Sequence, residues 1–171
     1  TPVKNILFPT DFGDHSKENF RHVIQMAKEI NAEVTLLHAI SRPIESLYEM
    51  ETRPNFYNYN GEMLSLEQII EHKIEAMQTK AKHWADWAFR EGVQTQTHID
   101  TSYKSIDEIV VEAAEMFDAQ LIVMEAQSGP ISAALLGSST RNVTRKAPCP
   151  VYVLTRHFYD KFEESQQAGS P

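Results

Sequence analysis

Apolar residues along the chain form short runs that alternate with longer stretches of helical spacing. The first run is Val3 to Phe8, and a second runs from Ala32 to Ile40. Asp14 or Ser16 is predicted to cap the intervening helix, because a short oxygen-bearing side chain can accept from an unpaired amide. The helix carries one apolar stripe: Phe20, Val23, Ile24, Ala27 and Ile30. A strand, a helix and a strand in this order predict a parallel β-α-β unit with a right-handed crossover.

The same alternation resumes at Ser65. A long helix is predicted from Ser65 to Glu91, with Gly92 placed to end it. Its stripe comprises Ile70, Ile74, Met77, Ala81, Trp84 and Ala88. The remaining predicted elements are a half-buried strand at 93–99, a helix from Ile106 to Phe117, a doubly buried strand from Gln120 to Met124, a helix ending near Lys146 and a last strand from Cys149 to Thr155.

The predicted order is β-α-β-(loop)-α-β-α-β-α-β, with five strands and four helices. This pattern predicts an α/β fold, a doubly wound five-stranded parallel sheet with helices on both faces, of Rossmann-like type. Ligands of such sheets bind beyond the carboxyl ends of the strands, where the winding reverses. The candidate segments are therefore 9–14, 39–42, 98–103 and the chain from Glu125 onward.

Residues 41–65 and 156–171 do not follow this pattern. The first segment contains two prolines and several aromatic residues without a consistent period, and it is predicted to be a long surface loop with a helical turn at Glu45 to Glu49. Its aromatic side chains either cover a site or contact a partner, or they pin the loop onto the body. A single domain over residues 1–155 is expected, followed by a polar C-terminal tail.

Charge and composition exclude several classes of function. The 171 residues contain 16 basic and 24 acidic side chains, a net charge of −8. This balance argues against a general nucleic-acid-binding surface, which needs clustered Lys and Arg. No apolar run approaches the roughly 20 residues that span a bilayer, and the first one is too short for a signal peptide. With one cysteine, Cys149, no disulfide forms within the chain, so the expected location is the cytoplasm without membrane attachment.

The residues that could carry chemistry are few. Of seven histidines, His15 and His22 share a helical face, but no spacing supplies a third ligand, and no metal site is predicted. His38 lies inside an apolar strand and is expected to be a hydrogen-bonded structural histidine. Cys149, between two prolines, is expected to be a small buried hydrophobe rather than a nucleophile. No catalytic residue is predicted.

Three segments carry a family resemblance. They are "ILFPTDFGDHSKENFRHVIQMAKEINAEVTLLHAI", "AQLIVM" and "LLGSSTRNVTRKAPCPVYVL". With the element order, they resemble the universal stress protein family over roughly residues 3–155. The resemblance implies a small cytoplasmic α/β protein, commonly a homodimer, made under starvation and other stresses.

One branch of that family binds ATP through a loop of the form G-x2-G-x9-G-[ST] after the fourth strand, and the other branch lacks the loop. If Met124 ends the strand, Glu125 and Ser128 stand where the first two glycines are expected. Eight residues rather than nine then separate Ser128 from Gly137. The missing glycines matter because they let backbone amides approach a phosphate. The comparison therefore favours the branch with a degenerate loop.

Other positions of the family pattern are retained or altered. An aspartate after the first strand contacts adenine in the ATP-binding branch, and Asp11 matches it. Tyr103 stands where many relatives have glycine, and is expected to crowd the crevice. Gly137 and Ser138 match the terminal Gly-Ser, and with Ser139 and Thr140 they begin a predicted helix, where free amides suit an anion.

Each retained position also has a plain structural interpretation. The Gly137 segment could be an N-cap, and Asp11 could be a turn residue. The candidate residual nucleotide or anion site comprises Asp11, Gly137, Ser138 and Ser139.

Three functions remain open on this sequence. The first is a non-enzymatic, dimeric stress-response binding module without tight ATP binding and without an expected cofactor. The second is an ATP- or AMP-type nucleotide binder, with slow ATPase activity as its enzymatic form. The third is a regulatory subunit whose 41–65 loop recognises a protein or a small ligand. The family resemblance implies a dimer through the last strand, with interface candidates Val151, Tyr152, Val153 and Leu154.

Overall fold

A computed structural model describes residues 2–40, 60–126 and 137–155. The predicted element order is confirmed over these residues. The strands are β1 (Asn5–Pro9), β2 (Glu33–Ala39), β3 (Thr95–Asp100), β4 (Leu121–Glu125) and β5 (Val151–Leu154). The helices are α1 (Asp14–Ile30), α2 (Leu66–Arg90), α3 (Ile106–Met116) and α4 (Ser138–Lys146). The helical turn predicted at Glu45 to Glu49, most of the aromatic loop and the tail lie outside the described residues.

The five strands form one parallel sheet in the order β3-β2-β1-β4-β5. The chain winds outward from β1 to β3, returns, and continues from β4 to β5 on the other side of β1. The winding therefore reverses between β1 and β4, whose pairing is anchored by Ile6 opposite Leu121 and Leu7 opposite Ile122. A crevice beyond the carboxyl ends of these two strands is the expected ligand position.

Successive side chains of β1 point to opposite faces of the sheet, and a separate hydrophobic core lies on each face. Ile6 and Phe8 point to the face covered by α1 and α2, and Leu7 points to the face covered by α3 and α4. On the first face, Phe20 of α1 stacks with Phe8 at 5.8 Å and with Trp84 of α2 at 5.0 Å between ring centroids. The doubly wound architecture is thereby confirmed.

The start of α1 differs from the prediction. The helix begins at Asp14, its N-cap is Gly13, and no side chain caps it. Neither Asp14 nor Ser16 is the cap, because the Ser16 hydroxyl instead contacts two carboxyl groups, of Asp11 and Glu125. The capping prediction was therefore wrong, and Ser16 belongs to the crevice.

The long helix α2 begins and ends as its sequence predicts. Ser65 and Gln68 form a reciprocal capping box, and Gly92 follows the C-cap Glu91 with a φ of 89°, which favours glycine. The predicted apolar stripe is buried in its C-terminal half, at Ala81, Trp84 and Ala88.

The N-terminal half of the α2 stripe is less buried than predicted. Ile70, Ile74 and Met77 are only half-buried, and Ile69 is buried in place of Ile70. The helix contributes to the first core through its C-terminal half, which explains the difference along its length. Within the described parts of the chain, no helix is both long and apolar enough to cross a membrane.

Candidate functional site

A cavity of about 490 Å³ lies beyond the carboxyl ends of β1, β2 and β4, where the winding reverses. Three of the four predicted segments line it, through residues 9–11, residue 39 and residues 125–126. The fourth segment, 98–103, contributes no lining residue. The prediction that Tyr103 crowds the cavity was therefore wrong, because Tyr103 does not line it. Its backbone nevertheless has a φ of 59°, a conformation that favours glycine.

A chain of hydrogen-bonded side chains crosses one wall of this cavity. The Ser16 Oγ atom lies 3.0 Å from Asp11 Oδ1 and 2.8 Å from Glu125 Oε2. Asn19 Nδ2 donates to Glu125 Oε1 at 2.7 Å. Ser16 and Asn19 are buried, Glu125 is half-buried and Asp11 is exposed at the mouth. The wall therefore joins an outer carboxyl to an inner one through one hydroxyl.

The inner carboxyl is strongly perturbed. Burial raises the pKa of Glu125 to about 7, against the lowering effect of its bonds from Asn19 and Ser16, and the Asp11 charge raises it further. Loss of hydration disfavours the charged form of a buried carboxyl, so a proton is retained to a higher pH. Near neutral pH the cavity therefore holds Glu125 in both protonation states.

Asp11 is held at the mouth by its own turn. Gly13 N donates to Asp11 Oδ1 at 2.8 Å, so the carboxyl folds back over the backbone. A Cβ atom at position 13 would lie 3.0 Å from that same oxygen. Glycine therefore leaves room for the folded-back Asp11 carboxyl, whereas its φ of −72° is open to any residue.

The residue between them, Phe12, has a strained backbone. Its φ is 59°, unusual for a residue with a bulky side chain, and its amide donates to Thr10 Oγ1 at 3.1 Å. The ring is buried and meets Trp84 of α2 edge-on, at 5.0 Å between centroids. Left-handed backbone costs about 1–2 kcal/mol, and burial of the ring offsets it.

His38 forms part of the opposite wall and is the structural histidine that was predicted. Its Nδ1 lies 2.8 Å from the Thr10 carbonyl oxygen, so Nδ1 carries the hydrogen and donates. Burial lowers the pKa of His38, partly opposed by this hydrogen bond. The neutral ring therefore fixes the end of β1 against β2.

The candidate residues at the start of α4 divide into two pairs. Ser139 and Thr140 line the cavity, whereas Gly137 is the N-cap and Ser138 is exposed, and neither lines it. Of the four predicted nucleotide-site residues, the structure thus brings Asp11 and Ser139 to one cavity. Gly137 and Ser138 lie beside it.

The end of β4 also differs from the assumption made on the sequence. Glu125 pairs with Leu154 and is the last residue of the strand, so the strand does not end at Met124. Ser128 and Gly129 of the predicted loop lie outside the described residues. Glu125 itself is placed by the sheet, and its side chain points to α1.

The other sequence candidates lie away from the cavity. Cys149 is half-buried and packs on the second core, where burial raises the pKa of its thiol, consistent with an unreactive hydrophobe. In β5, Tyr152 is 41% exposed, Val151 and Val153 are half-buried, and Leu154 is buried in the first core. Leu154 therefore has little surface to offer a partner. No group of three or more metal-ligating side chains occurs in the described segments.

Ser16 and Asn19 were missed as site residues. Both continue the buried stripe of α1, since Ser16 lies four residues before Phe20 and Asn19 four residues before Val23. Polar residues thus occupy positions where the pattern calls for apolar ones. Polar side chains in register with an apolar stripe are the signal that could have identified them. Their partner could not be found in this way, because Glu125 lies more than 100 residues away in the chain.

The comparisons with known proteins agree on one family. A family model described as the universal stress protein family matches residues 2–155. Universal stress protein MJ0531 of Methanocaldococcus jannaschii is 30% identical over 161 residues, covering 90% of this chain and 82% of that protein. Among solved structures, hypothetical protein MJ0577 superposes with a TM-score of 0.68 at 24% identity, covering 91% of this chain and 98% of the other. A universal stress protein in complex with cAMP superposes with a TM-score of 0.59 at 18% identity, with the same coverage.

Proposed function

We propose that this chain, which belongs to the universal stress protein family, is a non-enzymatic, dimeric binding module of the stress response that does not hold ATP tightly. The single observation that carries the proposal is the half-buried carboxyl of Glu125 at the reversal of the sheet. It is the last residue of β4 and stands directly before the segment that holds the loop glycines in the ATP-binding branch of the family. A side chain that fills this place, and that ionises, opposes a triphosphate.

The charges around the cavity support this proposal. Its described lining contains two carboxyl groups, Asp11 and Glu125, and no Lys or Arg. At 4 Å, one pair of like charges repels by about 1 kcal/mol in bulk water and about 4 kcal/mol at an effective dielectric of 20. A triphosphate carries several charges, so this lining disfavours it more than any ligand of lower charge.

The dimer is proposed from the exposed edge of the sheet. β5 is the last strand in the order, and Tyr152 is a large, exposed side chain on it. An unpaired strand edge is a template for a second strand unless something covers it. A second copy of β5 across a twofold axis is the proposed cover, with Val151, Tyr152 and Val153 at the contact.

A nucleotide-binding function is the second candidate. Its support is the cavity itself, which is open, about 490 Å³ in volume and bounded by Asp11 and the start of α4. Apolar side chains of β2, α3 and β4, among them Leu37, Ile109 and Met124, complete its walls. The solved structure with cAMP belongs to a protein of the same fold. A nucleotide of low charge fits these observations better than ATP does.

Two measurements separate the candidates. Nucleotide carried through purification is sought by absorbance and chromatography after the protein is denatured. Calorimetric titration with ATP at neutral pH then measures the affinity directly. We expect no copurified nucleotide and no saturation by millimolar ATP.

Adjacent serines provide a matched control for the titration. Should ATP bind saturably, the proposal of a module without tight ATP binding is wrong. Ser139→Ala would then weaken binding, because that side chain lines the cavity. The exposed Ser138→Ala would leave the affinity unchanged if the cavity is the binding site.

A further inference from the structure

The hydroxyl of Ser16 contacts two carboxyl groups but has one hydrogen. Its Oγ lies within hydrogen-bond distance of Asp11 Oδ1 and of Glu125 Oε2. A serine hydroxyl donates once and accepts through its lone pairs, and an ionised carboxylate only accepts. With both carboxyls ionised, one of the two contacts would therefore join two oxygens without a hydrogen between them.

One added proton supplies a hydrogen to both contacts of Ser16. If Glu125 Oε2 carries it, the carboxylic acid donates to Ser16 Oγ and the hydroxyl donates to Asp11 Oδ1. Glu125 Oε1 still accepts from Asn19 Nδ2. The proton is assigned to Glu125 because Glu125 is the more buried of the two carboxyl groups.

We propose that Glu125 acts as a proton-operated selector in the crevice: phosphate-bearing ligands of low charge bind when Glu125 is protonated and are rejected when it is ionised. This inference rests on the proposed function, since it concerns the ligand of the same binding module. The neutral acid removes one of the two negative charges among the described lining residues. The phosphate can then approach Ser139 and Thr140 at the start of α4, where unpaired amides favour an anion.

Other titratable groups face the same cavity. Asp11 precedes α1, His15 lies in the first turn of α1, and His38 comes from β2. The lining residues of α3 are apolar, and those of α4 carry hydroxyl groups. A histidine that gained a proton would also attract an anion at low pH, so the test must separate Glu125 from the histidines.

The probe is cAMP, whose single phosphodiester charge is constant between pH 6 and pH 8. Adenosine is its uncharged counterpart. Calorimetric titrations of the full chain at pH 6 and pH 8 give the two affinities. With Glu125 titrating near pH 7, the protonated fraction falls about tenfold between these pH values. We expect cAMP affinity to fall about tenfold from pH 6 to pH 8, and adenosine affinity to stay constant.

Glu125→Gln keeps the neutral form at every pH. The Gln amide can donate to Ser16 and accept from Asn19, as the protonated acid does. We expect this variant to bind cAMP at pH 8 as tightly as the wild type does at pH 6. Glu71→Gln, at an exposed position of α2, is the matched control and should behave as wild type.

Several outcomes would overturn the selector. The first is an equal cAMP affinity of the wild type at pH 6 and pH 8. The second is an adenosine affinity that falls from pH 6 to pH 8 as the cAMP affinity does. The third is a pH dependence of cAMP binding that persists in Glu125→Gln, which would assign that dependence to a histidine. Absence of cAMP binding to the wild type at pH 6 and to Glu125→Gln would also overturn it. Tight ATP binding at neutral pH contradicts the proposed function instead, so the two failures are distinct.

A direct measurement keeps the test independent of the variants. The side-chain carboxyl carbon of Glu125, followed by NMR in the wild-type protein without ligand, should titrate near pH 7. A midpoint near the ordinary glutamate value would refute the assigned proton.

Discussion

The carboxyl of Glu125 couples the stability of the folded chain to pH. Its pKa is 4.5 in the unfolded chain and about 7 in the folded protein. Between these values the folded state binds more protons than the unfolded state, so the free energy of unfolding falls as pH rises. Below this pH range the neutral Glu125 carboxyl does not alter the free energy of unfolding. Above it, the full cost of burying the charge lowers the free energy of unfolding.

Glu125→Gln should remove that cost. We expect the free energy of unfolding to rise by at most roughly 3 kcal/mol above pH 7, from a shift of about 2.5 pKa units. Near pH 4 the variant should match the wild type, since Glu125 is then neutral in both states. Urea unfolding at pH 4 and pH 8 measures both values, with Glu71→Gln as control. A gain of equal size at both pH values would contradict this account.

At the scale of elements, α2 depends on different forces along its length. Its C-terminal half is fixed by Trp84 and Ala88 in the first core, while its N-terminal half is less buried. Apart from Ile69, the first turns of α2 are exposed or half-buried and gain little from packing, so their stability depends on the terminal hydrogen bonds. Ser65 accepts from the Gln68 amide, and Gln68 Oε1 accepts from the Ser65 amide at 2.9 Å.

Ser65→Ala removes half of this capping box. The expected loss is about 1 kcal/mol, with faster amide hydrogen exchange in the first turn of α2 than in its C-terminal half. Ser65→Asp keeps an acceptor at the cap and should retain most of the stability. If both variants lose the same amount, the cap is not the cause.

At the scale of the whole molecule, the proposed dimer depends on one strand edge. Tyr152 is exposed at that edge, and a charge there would have to be desolvated in a β5-to-β5 contact. The edge is therefore the place where a single substitution acts on assembly.

Tyr152→Lys should convert a dimer into a monomer. Sedimentation velocity of the purified variant and the wild type measures the change directly. Met116→Lys, at an exposed apolar position of α3, is the control and should leave the assembly state unchanged. A Tyr152→Lys protein that sediments with the wild type would remove β5 from the interface.

The sequence predicts the fold more completely than the site, for a physical reason. The spacing of buried residues such as Ile6, Leu7 and Phe20 is a local property of the chain. Each strand or helix can therefore be predicted from its own stretch of sequence. The hydrogen-bonded wall joins Ser16 and Asn19 to Glu125 across the sheet, and no local pattern encodes that distance. Asp11 was found because it matches the family's aspartate after the first strand, and Ser139 because it follows the terminal Gly-Ser of the family loop. Ser16 was assigned to a cap because capping is the local use of serine.

Phe12 has a consequence for how such a domain can diversify. It sits between Asp11 and Gly13 in the strained turn, yet its ring is held by Trp84, far along the chain in α2. A substitution at position 84 therefore reaches the mouth of the crevice without altering any lining residue. Selection for a new ligand can act on the outer helix while the crevice residues stay the same, so two members with identical linings need not share a specificity.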